Sequence, residues 1–161
     1  MEVRNKVRSI AHDLDVAKIT VVGVPDRPGI AAAIFEPLAK AGISVDTIVQ
    51  NASIENITDL TFTVTKGELN KAMEVVAPIA QSIGARECVS DSRLGKVSII
   101  GTGMQNTPGY AARMFGALSG KNINIQLITT SEIRITCIID ETRVKDAVRA
   151  LHRAFEVEME E

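Results

Sequence analysis

Apolar and polar residues follow two alternating periods along this chain, and the whole pattern occurs twice. Ile19 to Val24 is a continuous, mostly β-branched run, suited to a buried strand. Pro25-Asp26-Arg27-Pro28-Gly29 reads as a turn, with Pro28 suited to the first helical position, where a missing N–H costs little. Ile30, Ile34, Phe35 and Leu38 then recur at helical spacing, and Gly42 ends that helix as a C-terminal glycine does. Ile43 to Val49 predicts a strand. Leu60, Phe62 and Val64 alternate with Asp59, Thr61 and Thr63, which predicts a strand with one wet face. A second helix carries Leu69, Ala72, Met73, Val76, Ala80 and Ile83 on one stripe. Pro78 falls inside it and should kink or shorten it. Gly84 closes this helix, and Ala85 to Val89 completes the order βαββαβ.

The order then repeats. Lys96 to Gly101 predicts a strand, Pro108 to Ser119 a helix, and Ile123 to Thr129 and Ile133 to Ile139 two strands. Val144, Ala147, Val148, Leu151 and Phe155 form the stripe of a last helix, and no final strand follows it. Val7 to Ala11 precedes the first unit and belongs to nothing there, so it is expected to supply that strand. The first unit, residues 17–92, is then inserted into the second, residues 5–16 plus 93–157. Each unit is expected to be an α+β, ferredoxin-like module, an antiparallel sheet with helices on one face. The uncovered edges of such sheets favour a two-fold homodimer.

The duplication has a constant offset of 80 residues. Pro28-Gly29 matches Pro108-Gly109, Ala31-Ala32 matches Ala111-Ala112, and Phe35, Leu38, Ile43, Val45 and Ile48 match Phe115, Leu118, Ile123, Ile125 and Ile128. No gap is needed over that stretch. A repeat in register over so many positions is a strong signal of duplicated structure.

Composition narrows the function. The 161 residues are 45% hydrophobic and 24% charged, as globular domains are. The net charge is −2, basic residues are scattered, and aromatics are 3%, which argues against nucleic-acid binding. No apolar run approaches the roughly 20 residues of a membrane span, and charged residues through the first twenty positions argue against an export leader. Cys88 and Cys137 lie in apolar runs without CxxC spacing, consistent with reduced, packed thiols in a cytoplasmic protein.

Candidate chemistry sits in the turn Pro25 to Gly29 and its copy Gln105 to Gly109. Each leads into a helix N-terminus, where free N–H groups and a partial positive charge favour a carboxylate. Gly29 permits close backbone approach, Ala31 keeps the floor small, and Asp26 adds a negative charge. N–H groups plus a carboxylate complement a zwitterionic amino acid. The plainer reading is a turn in which Asp26 only caps the helix. The copies differ chemically: Asp26 corresponds to Asn106, Asp46 to Gln126, Ser44 to Asn124 and Gln50 to Thr130. Ligands or affinities at the two turns should therefore differ.

Other features carry little. Gly101-Thr102-Gly103 lacks the third glycine of a dinucleotide fingerprint, and no phosphate loop is present. His12 and His152 are isolated, and no catalytic triad or metal set can be assembled from them. Asn51-Ala52-Ser53 and Asn56-Ile57-Thr58 fit a glycosylation pattern that means little without export. No cofactor is implied.

Val21 to Ala31, Gly42 to Asp46 and Ile48 to Asn51 closely resemble the first ACT domain of bacterial aspartate kinases. Lys96 to Gly101, Pro108-Gly109, Asn122 to Ile125 and Ile128 to Ile135 resemble the second. The likeness runs from about Lys6 to Phe155, and in that family too the first module is inserted in the second. The resemblance implies a regulatory subunit without the kinase domain, hence without catalysis, partnered by the catalytic chain. It implies L-threonine, and in many members L-lysine, bound between ACT domains of two chains to inhibit the kinase. By position, Asp26, Gly29, Ile30, Ala31 and Gln50 correspond to one wall of the threonine site, and Asn124 and Ile125 of a paired module to the other. Ser44, Asp46, Tyr110, Ala111, Ser131 and Glu132 correspond to a second, more variable effector site. Tyr110 departs from the pattern, since a small aliphatic residue is commoner there, and a bulky ring argues against lysine.

Three other readings compete. A free-standing ACT sensor of another amino-acid pathway has the same fold, so only its partner distinguishes it. An acylphosphatase-like enzyme would need a phosphate-cradling arginine, for which Arg27 is the sole loop candidate. A purely structural dimerisation module would have an empty site.

Overall fold

The computed structural model describes residues 6–51, 53–104 and 107–159, with side chains described as far as Glu156. Gln105 and Asn106, and with them most of the second turn's approach, lie outside the described residues. The chain divides into two compact units, Asp15–Ser92 and Met1–Leu14 with Arg93–Glu161.

In chain order the elements are β1 (Lys6–Pro25), α1 (Ile30–Lys40), β2 (Ile48–Gln50), β3 (Ile57–Val64), α2 (Leu69–Ser82), β4 (Glu87–Thr102), α3 (Tyr110–Ser119), β5 (Leu127–Thr130), β6 (Arg134–Asp140) and α4 (Val144–Met159). A 3₁₀ turn precedes α2 (Lys66–Glu68) and α4 (Glu141–Arg143). Neighbouring strands are ordered β2-β3-β1-β4 in the first module and β1-β4-β6-β5 in the second. The first nine residues of β1 belong to the second module, so the strand before the first module does complete the second. Both modules are ferredoxin-like βαββαβ units, and the first is inserted into the second.

Four expectations about the elements change. The strands expected at Val7–Ala11 and Ile19–Val24 are one continuous strand, β1, and those at Ala85–Val89 and Lys96–Gly101 merge into β4. The strands expected at Ile43–Val49 and Ile123–Thr129 shrink to β2 and β5. Ile43 is spent on closing α1: its N–H bonds the Leu38 carbonyl and the Gly42 N–H that of Ala39, a Schellman closure that buries Ile43. Ile123 and Asn122 repeat this on Leu118 and Ser119, Asn122 at φ 57°. Of the kink or shortening expected at Pro78, shortening does not occur, since α2 runs on to Ser82 with Pro78 inside it. The expected wet face of β3 is also incomplete, because Thr63 is buried and its Oγ1 accepts from the Thr47 N–H.

Each module has its own core. Ile19, Val21, Ile34, Leu38, Phe62 and Val76 anchor the first, with the Phe35 ring edge-on to Phe62 at 5.3 Å. Val97, Ile99, Met114, Cys137, Leu151 and Phe155 anchor the second. Cys137 is buried, and burial pushes its thiol up to about 12. Cys88 is half-buried rather than fully packed, and desolvation raises its thiol too.

Candidate effector-binding site

Both Pro-Gly turns adopt one backbone solution. Gly29 stands at φ 90° and Gly109 at φ 103°, left-handed conformations that glycine adopts without strain. A residue there cannot be helical, so α1 starts at Ile30 and α3 at Tyr110. Pro28 and Pro108 therefore precede the cap instead of opening the helix, which corrects the expectation for both. The first helical bonds run from the Ala33 N–H to the Gly29 carbonyl (3.0 Å) and from the Arg113 N–H to the Gly109 carbonyl (2.9 Å). The N–H groups of Ala31, Ala32, Ala111 and Ala112 lie ahead of that ladder, and neither helix has a side-chain cap. Asp26 is exposed and does not cap α1, so the plainer reading of the turn fails.

In the first module, the Asp26 N–H bonds the Asn56 carbonyl at 2.7 Å. That bond ties the turn to the loop between β2 and β3. Gln50 is the last residue of β2, opposite Leu60 of β3, and is exposed. Gly29 and Ala31 are also exposed, whereas the Ile30 side chain is buried in the core, so Ile30 offers the site its backbone only. Ser44 and Asp46 are exposed on the segment between α1 and β2, where the Asp46 N–H bonds the Thr63 carbonyl.

The second module brings its residues together in a cleft of about 620 Å³. The turn contributes Thr107, Pro108, Gly109, Tyr110 and Ala111. The β5–β6 connection contributes Thr130, Ser131 and Glu132, while Met104 and Ile135 add apolar wall. The Ser131 N–H bonds the Arg134 carbonyl, which tightens that connection and fixes Glu132 at its tip. Tyr110, Ala111, Ser131 and Glu132 thus line one cleft. The Tyr110 ring turns into the core, stacked on Phe155 with centroids 6.4 Å apart, and Arg113 lies 4.4 Å over the Phe155 ring. The cleft stays open in front of it. Asn124, exposed, and Ile125, half-buried, lie between α3 and β5. Met104 and Ile135 were not candidates in the sequence, whereas Thr107 lies in the copied turn. Thr130 is the 80-residue copy of Gln50, so the repeat contained that signal.

The start of α3 and the Glu132 carboxylate line the same cleft, and helix-start N–H groups favour an anion. Two βαββαβ modules with glycine-opened turns of this kind define a tandem ACT-domain regulatory unit. The ACT domain family matches residues 18–80 and, through a second ACT domain description, 97–155. The chain is 49% identical over 152 residues to the aspartate kinase Ask_LysC of Stutzerimonas stutzeri, covering 94% of this chain and 37% of that enzyme. Among solved structures, the regulatory subunit of aspartate kinase from Thermus thermophilus in its ligand-free form is 42% identical, with TM-score 0.87, covering 92% of this chain and 98% of that one. A structure of aspartokinase alpha and beta subunits is 43% identical, with TM-score 0.86, covering 93% and 99%. The chain belongs to the aspartate kinase family and corresponds to its tandem ACT regulatory region. It spans little more than a third of the curated kinases it matches. Among the described residues, no helix is long and apolar enough to cross a membrane.

Proposed function

We propose that the chain is the feedback sensor of an aspartate kinase. It binds L-threonine at the first-module turn, has no catalytic activity of its own, and acts on the kinase catalytic chain as a homodimer in the cytoplasm. Asp26, Gly29, Ala31, Gln50 and the backbone of Ile30 form one wall of the threonine site. Asn124 and Ile125 of a paired module form the other. The observation that carries the reading is the pair of uncapped, glycine-opened helix starts, each a ready carboxylate seat. Its regulatory logic is linkage: threonine inhibits by as much as it prefers one arrangement of the paired modules.

The second-module cleft favours lysine as a further effector. Glu132 supplies a carboxylate for an ammonium group, and the Tyr110 ring packs behind the cleft instead of filling it. We assign Tyr110, Ala111, Ser131 and Glu132 to that site, with Ser44 and Asp46 as its further candidates.

Thermal unfolding against single amino acids tests both assignments. Threonine at a hundredfold excess over Kd should add about 2.7 kcal/mol, a rise of roughly 5–10 °C. Asp26→Ala should remove the threonine shift while leaving the unliganded Tm and any lysine shift in place. A full threonine shift in that variant would overturn the site assignment. No shift with any amino acid would overturn the sensor.

A further inference from the structure

The outer face of α4 carries a cationic notch that the amino-acid sites do not use. It is a cavity of about 300 Å³ lined by Lys121, Asp146, Arg149, Ala150 and Arg153. Lys121 comes from the turn after α3 and the two arginines from α4, so cations from two elements converge. The one acid present is already engaged: Asp146 Oδ2 lies 3.5 Å from Arg143 Nε. Arg143 also donates from Nη2 to the Lys121 carbonyl at 2.8 Å, which fixes the Lys121 turn to the start of α4. Lys121, Arg149 and Arg153 are exposed, and among the described residues no carboxylate pairs with any of them.

The first module supplies the control. There Lys71 performs the structural task of Arg143, donating from Nζ to the Ala41 carbonyl at 2.7 Å. Ala41 is the 80-residue counterpart of Lys121. Aligning the starts of α2 and α4, each behind its 3₁₀ turn, sets Lys71, Glu74 and Pro78 against Asp146, Arg149 and Arg153. The same surface is charge-balanced in one module and carries three cations against one committed acid in the other. Closing α3 needs only Arg143, so the remaining three cations have no structural task. Clustered unpaired cations repel one another, and a bound multivalent anion relieves that repulsion.

We propose that Lys121, Arg149 and Arg153 form a binding site for a multivalent phosphate anion, pyrophosphate or the phosphate chain of a nucleotide. Guanidinium forks match phosphate oxygens in pairs, and a lysine adds a point charge. The concave notch suits a short phosphate chain better than the flat face of an acidic protein.

Calorimetric titration of the whole chain with sodium pyrophosphate, and separately with ATP in EDTA, tests this. Saturable pyrophosphate binding that weakens with added salt is expected. The Arg149→Ala, Arg153→Ala double variant should bind at least tenfold more weakly, with its unliganded Tm unchanged or raised. Equal affinity for ATP and pyrophosphate identifies the phosphate chain alone as ligand, and tighter ATP identifies a nucleotide. Absence of pyrophosphate saturation by about 5 mM, or a double variant within twofold of wild type, overturns the proposal.

Discussion

The two modules are copies in backbone and strangers in side chains. Both have the same strand order, a left-handed glycine before the first helix, and a Schellman closure after it. Yet residues 15–92 hold six Lys and Arg against ten Asp and Glu, a net −4. The rest hold twelve against ten, a net +2. The hairpin loops differ as well. In the first module Ile54 to Ile57 close a two-residue turn with Glu55 at φ 56° and Asn56 at φ 64°, which projects Ile54 at 81% exposure. In the second, three residues suffice, and they place Glu132 on the cleft. Duplication kept what the backbone requires and released the exposed side chains around each turn.

Transplanting residues between the modules breaks this comparison most sharply. Gly101 is the counterpart of Val21, but a Cβ at Gly101 would collide with the Lys6 carbonyl of the neighbouring β1. Gly101→Val should therefore cost more than about 4 kcal/mol in urea unfolding, and an unchanged midpoint would contradict that packing. Phe155 aligns with Ala80 of α2 and is fully buried against Tyr110 and Arg113. Phe155→Ala should cost about 3–4 kcal/mol, again by denaturant titration.

Smaller changes sharpen the difference between the sites. Glu132→Gln keeps the cleft's shape and removes its carboxylate. Lysine affinity should fall about tenfold, near 1.4 kcal/mol, with threonine affinity unmoved. If the two affinities fall together, the modules do not hold separate sites. The smallest effect lies at the 3₁₀ turns. Thr142 donates to Asp140 from its hydroxyl (2.6 Å) and its N–H (2.8 Å), and these bonds hold the Asp140 carboxyl below its ordinary pKa. The carboxylate form thus favours folding. Its contribution is complete above the ordinary aspartate pKa and fades as pH falls through the folded value. Thr65 holds the corresponding position in the first module without a side-chain cap. Tm measured across the acid range should fall less steeply for Asp140→Asn than for wild type.

Element types, the repeat and the strand swap were legible because they rest on period and sequence spacing. The N-terminal run Val7–Ala11 could be given to the second module since that module lacked a strand. Boundaries were less legible. Ile43 and Ile123 look like strand residues, yet their burial serves the helix closure, which depends on backbone hydrogen bonds and not on side-chain pattern. The candidate site was half legible: Gly29, Gly109 and Glu132 follow from the repeat and the resemblance, whereas Met104 and Ile135 join the cleft only because β4 and β6 pair beside it.

Two βαββαβ units, their interleaving and the glycines that open each turn are written into local pattern. Hydrophobic period and permitted φ are properties of residues and their near neighbours, so they can be read along the chain. Where Tyr110 points, and which α4 cations pair with no carboxylate among the described residues, follows from packing between distant parts of the chain. Those outcomes depend on Phe155 packing behind the Tyr110 ring and on Arg143 capturing Asp146 and the Lys121 carbonyl. Such competitions between groups distant in sequence are settled only once the backbone has brought them together.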